Sequence, residues 1–152
     1  MHKKIDVLCI TLSSPILIGI YEEKKLIEVI ESTEKSSNIL PMIFQTILDK
    51  YEISALFYVN GPGSFMAIKI AYIFLKSLSI LKDVPLYSAD GFYFNNNTPI
   101  KAIGKLFFVK ILSEIETQKL ETAPLASFQL PDVLEYKDFS NETAPLYKIA
   151  AV

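Results

Sequence analysis

Residues 58–65 read Tyr58-Val59-Asn60-Gly61-Pro62-Gly63-Ser64-Phe65 and join a β-rich run (55–60) to a long apolar stretch (65–81). Two glycines around a proline predict a tight strand-to-helix turn, because glycine tolerates positive φ and proline holds its own φ near the helical value. The following helix then offers free backbone N–H groups beside the carboxyl end of a strand, where a small anion or a partner loop can dock. No Gly-Lys-Ser/Thr follows, which excludes a P-loop, and the spaced glycines of a dinucleotide fingerprint are missing too.

The elements around this turn define the fold class. Residues 5–11 form a continuous apolar strand, Ser13-Ser14-Pro15 a turn, 16–21 an antiparallel return, Glu22-Glu23-Lys24-Lys25 a charged hairpin tip and 26–30 a third strand. Three strands before any helix exclude the immediate strand–helix alternation of a dinucleotide fold. A helix is expected from Ser36 or Ser37 to Lys50 with a serine as N-cap, and Pro41 fits its first turn only if the helix starts nearer Asn38. The strand 55–59 is expected parallel to the first, with 84–88 the next strand after the crossover helix. Thr11, Ser13, Asn60, Gly61 and Ser64 would then gather in one crevice at the strand ends. Beyond Ser88 the pattern weakens. A polar turn at 95–99 and a strand at 105–109 stand out, 125–134 and 136–141 read as loops or short elements, and 145–151 reads as a final strand or tail.

Composition narrows the function. Of 152 residues 51% are hydrophobic, enough for a sizeable core, and the formal charge of −2 with one histidine does not suit a chain that grips a phosphate backbone by itself. The single cysteine, Cys9, lies in an apolar strand, which excludes an intrachain disulfide and reads as a small buried hydrophobe. Met1-His2-Lys3-Lys4 is basic, but Asp6 interrupts the apolar run behind it, so no signal peptide and a cytoplasmic location are expected. The apolar stretch 65–81 carries Lys69 and Lys76, seven residues apart and hence on one face. It falls short of a membrane span and reads as a core helix with a single polar stripe.

Catalytic chemistry finds little support. His2 sits at the terminus, and Asp6, Asp49, Asp83, Asp90, Asp132 and Asp138 are scattered without metal-ligand spacing. Asp90, at the end of an inferred strand, is the best catalytic candidate and reads more simply as a loop carboxylate. Ser64 lacks a nucleophile elbow and a histidine base, so it reads as a helix cap. No catalytic residue, cofactor or metal site is expected. Two very apolar helices, 36–50 and 65–81, carry more apolar surface than one sheet can cover, which implies burial against a second protein.

Gly61-Pro62-Gly63-Ser64-Phe65, the basic Lys69, the run 71–81 ending in Asp83-Val84-Pro85, and the ending Pro145-Leu146-Tyr147-Lys148 resemble the TsaB (YeaZ) family. The resemblance is good over about residues 5–90 and weak over 91–143. It implies an α/β, actin-like/Hsp70-like ATPase (ribonuclease-H-like) domain with a mixed sheet and packed helices at 1–90, followed by a reduced second subdomain at 91–152. The chain departs from the family with Thr11 in place of an acidic residue, Lys35-Ser36-Ser37 in place of His-Ser-Glu, Met66-Ala67 in place of Thr-Gly and Lys69 in place of Arg. The polar fingerprint is eroded while the apolar framework survives, as suits a protein that presents a surface. The resemblance implies a non-catalytic scaffold that dimerises with the catalytic threonylcarbamoyl transferase subunit (TsaD family). It supports N6-threonylcarbamoylation of adenosine 37 in tRNAs reading codons that start with A, with an ATPase subunit (TsaE family) joining the complex, a homodimer when alone and only indirect tRNA contact. The expected interface residues are Ile39, Ile43, Ile47, Phe65, Ile68, Lys69, Tyr72, Phe74 and Lys76, beside a structural turn of Gly61, Pro62, Gly63 and Ser64. The alternatives are a nucleotide-binding ATPase or small-molecule kinase of the actin-like class, and a peptidase-like protein.

Overall fold

Eight-residue β1 (Lys3–Ile10) is buried from Ile5 onward and apolar there except at Asp6, and its side chains alternate between two buried faces. The computed structural model describes residues 2–102, 104–122 and 127–147. β1 pairs antiparallel with β2 (Ile16–Glu22), which pairs antiparallel with β3 (Lys25–Ser32). Helix α1 (Ser36–Lys50) leads to β4 (Tyr51–Val59), parallel to β1 as expected, and α2 (Phe65–Lys82) crosses over to β5 (Leu86–Ala89), parallel to β4. The resulting mixed sheet has the order β3-β2-β1-β4-β5. The charged tip between β2 and β3 closes through Glu23 and Lys24, both at positive φ, the conformation that matches the twist of a two-residue hairpin.

One face of the sheet is covered by the helices. Val7, Cys9, Ile18, Ile20, Leu56 and Tyr58 pack against Leu40, Phe44, Ile47, Ala71 and Leu75. Burial drives the Cys9 thiol pKa well above its usual range, which keeps it an unreactive hydrophobe. Helix α1 spans Ser36–Lys50 as expected but differs in its cap. Lys35 is the N-cap residue and offers no side-chain hydrogen bond, so neither serine caps the helix, and Pro41 lies inside it in the second turn. That position tolerates proline because it is exposed, and water can serve the carbonyl left without its usual donor.

The other face carries Leu8, Ile10, Tyr21, Phe57 and Val59, and neither α1 nor α2 covers it. A strap of irregular chain, residues 127–139, lies across it instead. Leu130 and Phe139 pack on that face around the fully buried Leu134. The strap is tied down by Leu26 N–H to Asp132 O (2.9 Å), Leu134 N–H to Lys24 O (2.8 Å) and the Tyr21 hydroxyl to Pro131 O (2.7 Å). Phe57 sits among Tyr87, Tyr136 and Phe139 at centroid distances of 5.2, 5.1 and 4.9 Å. Along the chain between β5 and the strap comes a small antiparallel sheet, β6 (Ile100–Lys101), β7 (Leu106–Ile111) and β8 (Glu114–Lys119), with its own cluster of Phe92, Ile100 and Phe108. β7 covers the strand expected at 105–109. β8 has a polar, alternating sequence that the pattern did not mark.

One buried carboxylate anchors the strap. Asp6, 7% exposed on β1, accepts a hydrogen bond from the Tyr136 hydroxyl at 2.6 Å, and the Lys24 ammonium lies 5.4 Å from the Tyr136 ring centre. Burial raises the Asp6 pKa, while the Tyr136 hydrogen bond and the Lys24 charge oppose the rise. A folded-state pKa above the unfolded one means that folding favours the protonated acid. The contribution therefore grows as pH falls through the folded value towards the unfolded one, and is absent above it. The melting-temperature difference between wild type and Asp6→Asn should thus move in favour of wild type between about pH 7 and about pH 4. Phe57→Ala, which empties the centre of the strap-side core, should lose about 3–5 kcal/mol in urea unfolding.

Candidate functional site

The turn after β4 is built as a junction. Gly61 has φ +122°, and a Cβ there would lie 3.0 Å from both Leu146 O and Ile68 Cδ1, so this position demands glycine. Gly63 is outside the positive-φ region and a Cβ would meet only the Leu12 side chain at 3.2 Å, so of the two turn glycines Gly61 alone is demanded by the backbone. Pro62 follows a cis peptide bond and is buried. Ser64 is the N-cap of α2, and its hydroxyl accepts from Ala67 N–H at 3.5 Å.

The crevice that a parallel sheet opens at its strand ends is filled here by the chain's own C-terminal segment. Leu146 N–H donates to Asn60 O (2.8 Å), Asn60 Nδ2 to Ala144 O (3.2 Å) and Gly91 N–H to Gly61 O (2.8 Å). Ser88 and Ser140 exchange two backbone hydrogen bonds of 2.8 Å, the Tyr58 hydroxyl donates to Thr143 O, and the Tyr147 ring stacks 4.5 Å from Phe65. Pro145, Leu146 and Tyr147 thus close the turn; the rest of the expected final element, 148–151, lies outside the described residues. The five residues expected to converge do not. Thr11 and Ser13 line a cleft against the start of α1, and Asn60 lines a different one with Ser88 and Asp90.

That second cleft is open and has a volume of about 680 Å³. Asp90 lies on it fully engaged, accepting Phe92 N–H at 3.0 Å and the Lys110 ammonium at 2.6 Å. The neighbouring Tyr93 hydroxyl donates to Asp138 at 2.8 Å, and burial together with that carboxylate pushes its pKa up to about 12. Asp90 therefore acts as a capping and ion-pairing residue that joins the large sheet to β7. Among the described residues no cluster of three His, Cys, Asp or Glu side chains could hold a metal ion.

The nine residues expected at a partner interface divide sharply. Ile43, Ile47 and Ile68 are buried at 9%, 1% and 0% exposure inside the chain's own core, which corrects their placement at a partner surface. Ile39, Tyr72 and Phe74 are half-buried against the same core, with Phe74 5.3 Å from Phe44 and Tyr72 6.0 Å from Tyr58. Phe65 is half-buried, and Lys69 and Lys76 are exposed. The outward face of α2 also carries apolar residues the sequence reading passed over. Met66, Ile73 and Ile80 are 58%, 53% and 71% exposed, with Leu81 beside them at 80%. Their heptad spacing puts them on one stripe, with Lys69 and Lys76 along its edge, so the expected polar stripe is an apolar one with a basic border. Met42 on α1, 63% exposed, is a further apolar residue on the helical layer.

Two solved structures share this architecture. YeaZ from Pseudomonas aeruginosa superposes with a TM-score of 0.59 at 12% identity, over 81% of this chain and 66% of that one. The chain has the YeaZ fold. An uncharacterized protein with similarity to peptidase YeaZ from Pseudomonas aeruginosa gives a TM-score of 0.59 at 14% identity, over 80% of this chain and 67% of that one. The chain spans about two thirds of the length of these YeaZ-fold proteins. No family model and no curated protein matches its sequence. Within the YeaZ fold, the turn at 60–64 serves as a structural joint. Gly61→Ala should destabilise the protein by about 1–3 kcal/mol through a φ that alanine does not adopt. Gly63→Ala should change stability by less than about 1 kcal/mol in the same urea titration.

Proposed function

We propose that this chain is a non-enzymatic scaffold of the TsaB (YeaZ) type, built on an actin-like, ribonuclease-H-like framework, that binds the catalytic threonylcarbamoyl transferase subunit in the cytoplasm and supports threonylcarbamoylation of adenosine 37 in tRNA. The observation that carries this reading is the exposed stripe of Met66, Ile73 and Ile80 on α2. Apolar side chains so exposed and so regularly spaced on one helix favour burial against another protein, and a helix face is suited to a second helix. The fold shared with YeaZ and the crevice occupied by residues 140–147 support the same reading, since a chain that fills its own strand-end crevice leaves its helical layer as the larger free surface.

The mechanism is one of support. Packing of α2 against helices of the catalytic subunit would hold that subunit's loops in their active arrangement, while the reacting groups belong to the partner. With a formal charge of −2, this chain would leave most of the tRNA contact to other subunits, and an ATPase subunit would join at the shared surface. Among the described residues no helix is long and apolar enough to cross a membrane. In isolation the same stripe would favour a homodimer.

Light scattering after size-exclusion chromatography, on the chain alone and mixed with the catalytic threonylcarbamoyl transferase subunit of the same cell, tests the proposal. A species at the summed mass is expected. Ile73→Glu should weaken it about thirtyfold or more while leaving the melting temperature of the isolated chain nearly unchanged. Ile43→Glu should instead unfold the chain, because that side chain belongs to its own core. Separate peaks for the wild-type proteins would refute the proposal.

A further inference from the structure

β3 is the outer strand of the five-stranded sheet, and its outer edge is only partly covered. The strap takes the first part. Lys25 forms an antiparallel bridge with Val133, Leu26 N–H donates to Asp132 O (2.9 Å) and Leu134 N–H to Lys24 O (2.8 Å). The strap leaves the edge at Pro131, which has no N–H to give to a ladder, and Leu130 turns onto the sheet face, 3.2 Å from where a Cβ on Gly19 would lie. Ile27 is the extra residue of a bulge. Beyond it, residues 28–32 pair in regular register with β2 on one side, and among the described residues no strand lies on the other. Every second residue of such an edge turns its N–H and C=O outward, which is a template for a further strand.

The side chains define what that strand must carry. Val29, opposite Gly19 on the strap side of the sheet, is 48% exposed, with Ile27 at 43% and Val133, where the strap meets the edge, at 45%. Sheet edges are ordinarily blunted by lysine or proline, and residues 28–32 have neither. On the helix side Ile30 packs on the core, and the Glu28 carboxylate is held by the Tyr51 hydroxyl at 2.9 Å and the Lys50 ammonium at 3.5 Å. Glu31, exposed on the same side as Val29, has no ion pair among the described residues. The uncovered edge is thus apolar and acidic. A second copy of the chain fits it badly. A symmetric antiparallel pair centred on Ile30 sets Val29 against Glu31, one centred on Val29 sets Glu28 against Ile30, and a centre on either glutamate sets like charges face to face. A basic strand meets none of these conflicts.

We propose that residues 28–32 dock an extended segment of another protein, which adds to β3 as an antiparallel sixth strand with an aliphatic residue opposite Val29 and a basic residue opposite Glu31. The site is separate from the α2 stripe and from the partner bound there.

The probe is the peptide acetyl-Thr-Arg-Val-Ile-Lys-Thr-amide, whose arginine would face Glu31 and whose isoleucine would face Val29, titrated into the ¹⁵N-labelled full chain while amide shifts are followed. Saturable shifts centred on residues 27–33 are expected, with a dissociation constant of about 1 mM or tighter. The same peptide with glutamate in place of arginine and lysine should bind at least about tenfold more weakly. Glu31→Lys should reverse that preference and leave the melting temperature nearly unchanged, because the side chain is exposed. Absence of shifts at 27–33, equal affinity for the two peptides, or the wild-type preference retained in Glu31→Lys would overturn the proposal. So would shifts at 27–33 that depend on the concentration of the chain alone, which would assign the edge to a second copy.

Discussion

Burial of both faces of β1 and β4 is the constraint on which the rest of the structure depends. Strands this apolar cannot leave either face in water, since each exposed aliphatic or aromatic side chain forgoes about 1.5–3 kcal/mol of transfer free energy. Helices α1 and α2 cover one face. The other is covered by a strap that is irregular except for one 3-10 turn at Tyr136–Asp138, held by the Asp132 and Lys24 carbonyls, the Tyr21 and Tyr136 hydroxyls and a ring of aromatics around Phe57. An extended segment can cover a sheet in this way because its backbone groups find partners on the β2–β3 hairpin and at Phe94, rather than lying buried and unpaired.

The same strap determines what the strand ends can do. After crossing the sheet it runs past Ser88 and Asn60 and pins them by main-chain hydrogen bonds, so the position where an open α/β sheet ordinarily receives its ligand holds residues 140–147. The glycine with φ +122° is the local price of bringing Leu146 so close to the turn. What remains open lies to either side: a polar cleft bordered by the Asp90–Lys110 ion pair, and the cleft between Thr11 and the uncapped start of α1. Among the described residues the chain's free surfaces thus include a helical layer and these two clefts.

Much of the fold was legible because its signals are local. The apolar run in β1, the charged tip at Glu23 and Lys24, and the Gly61-Pro62-Gly63-Ser64 turn each specify their own backbone, and their order implies parallel β1 and β4. β8 was not legible, since Glu114–Lys119 is a strand by pairing with β7 and not by its own hydrophobicity. The bounds of α1 were legible, but its cap was misread because serine is a common N-cap, whereas here Ser36 and Ser37 lie within the helix and Lys35 takes the cap position. On the candidate surface, helical spacing places Ile68, Ala71 and Leu75 at a different angle from Met66, Ile73 and Ile80, a division the sequence reading did not make. It could not tell which set meets the sheet.

The sequence by itself determined the element order as far as β5, the mixed sheet, the strand-to-helix joint, and the presence of two helices too apolar to stand free. Only the tertiary structure decided that Ile43, Ile47 and Ile68 serve this chain's own core while Met66, Ile73 and Ile80 face outward, and that Pro145-Leu146-Tyr147 closes the crevice. The reason is physical. Backbone conformation follows from forces between near neighbours along the chain, but burial belongs to pairs of surfaces, and which of two apolar stripes is covered depends on a partner element far away in sequence.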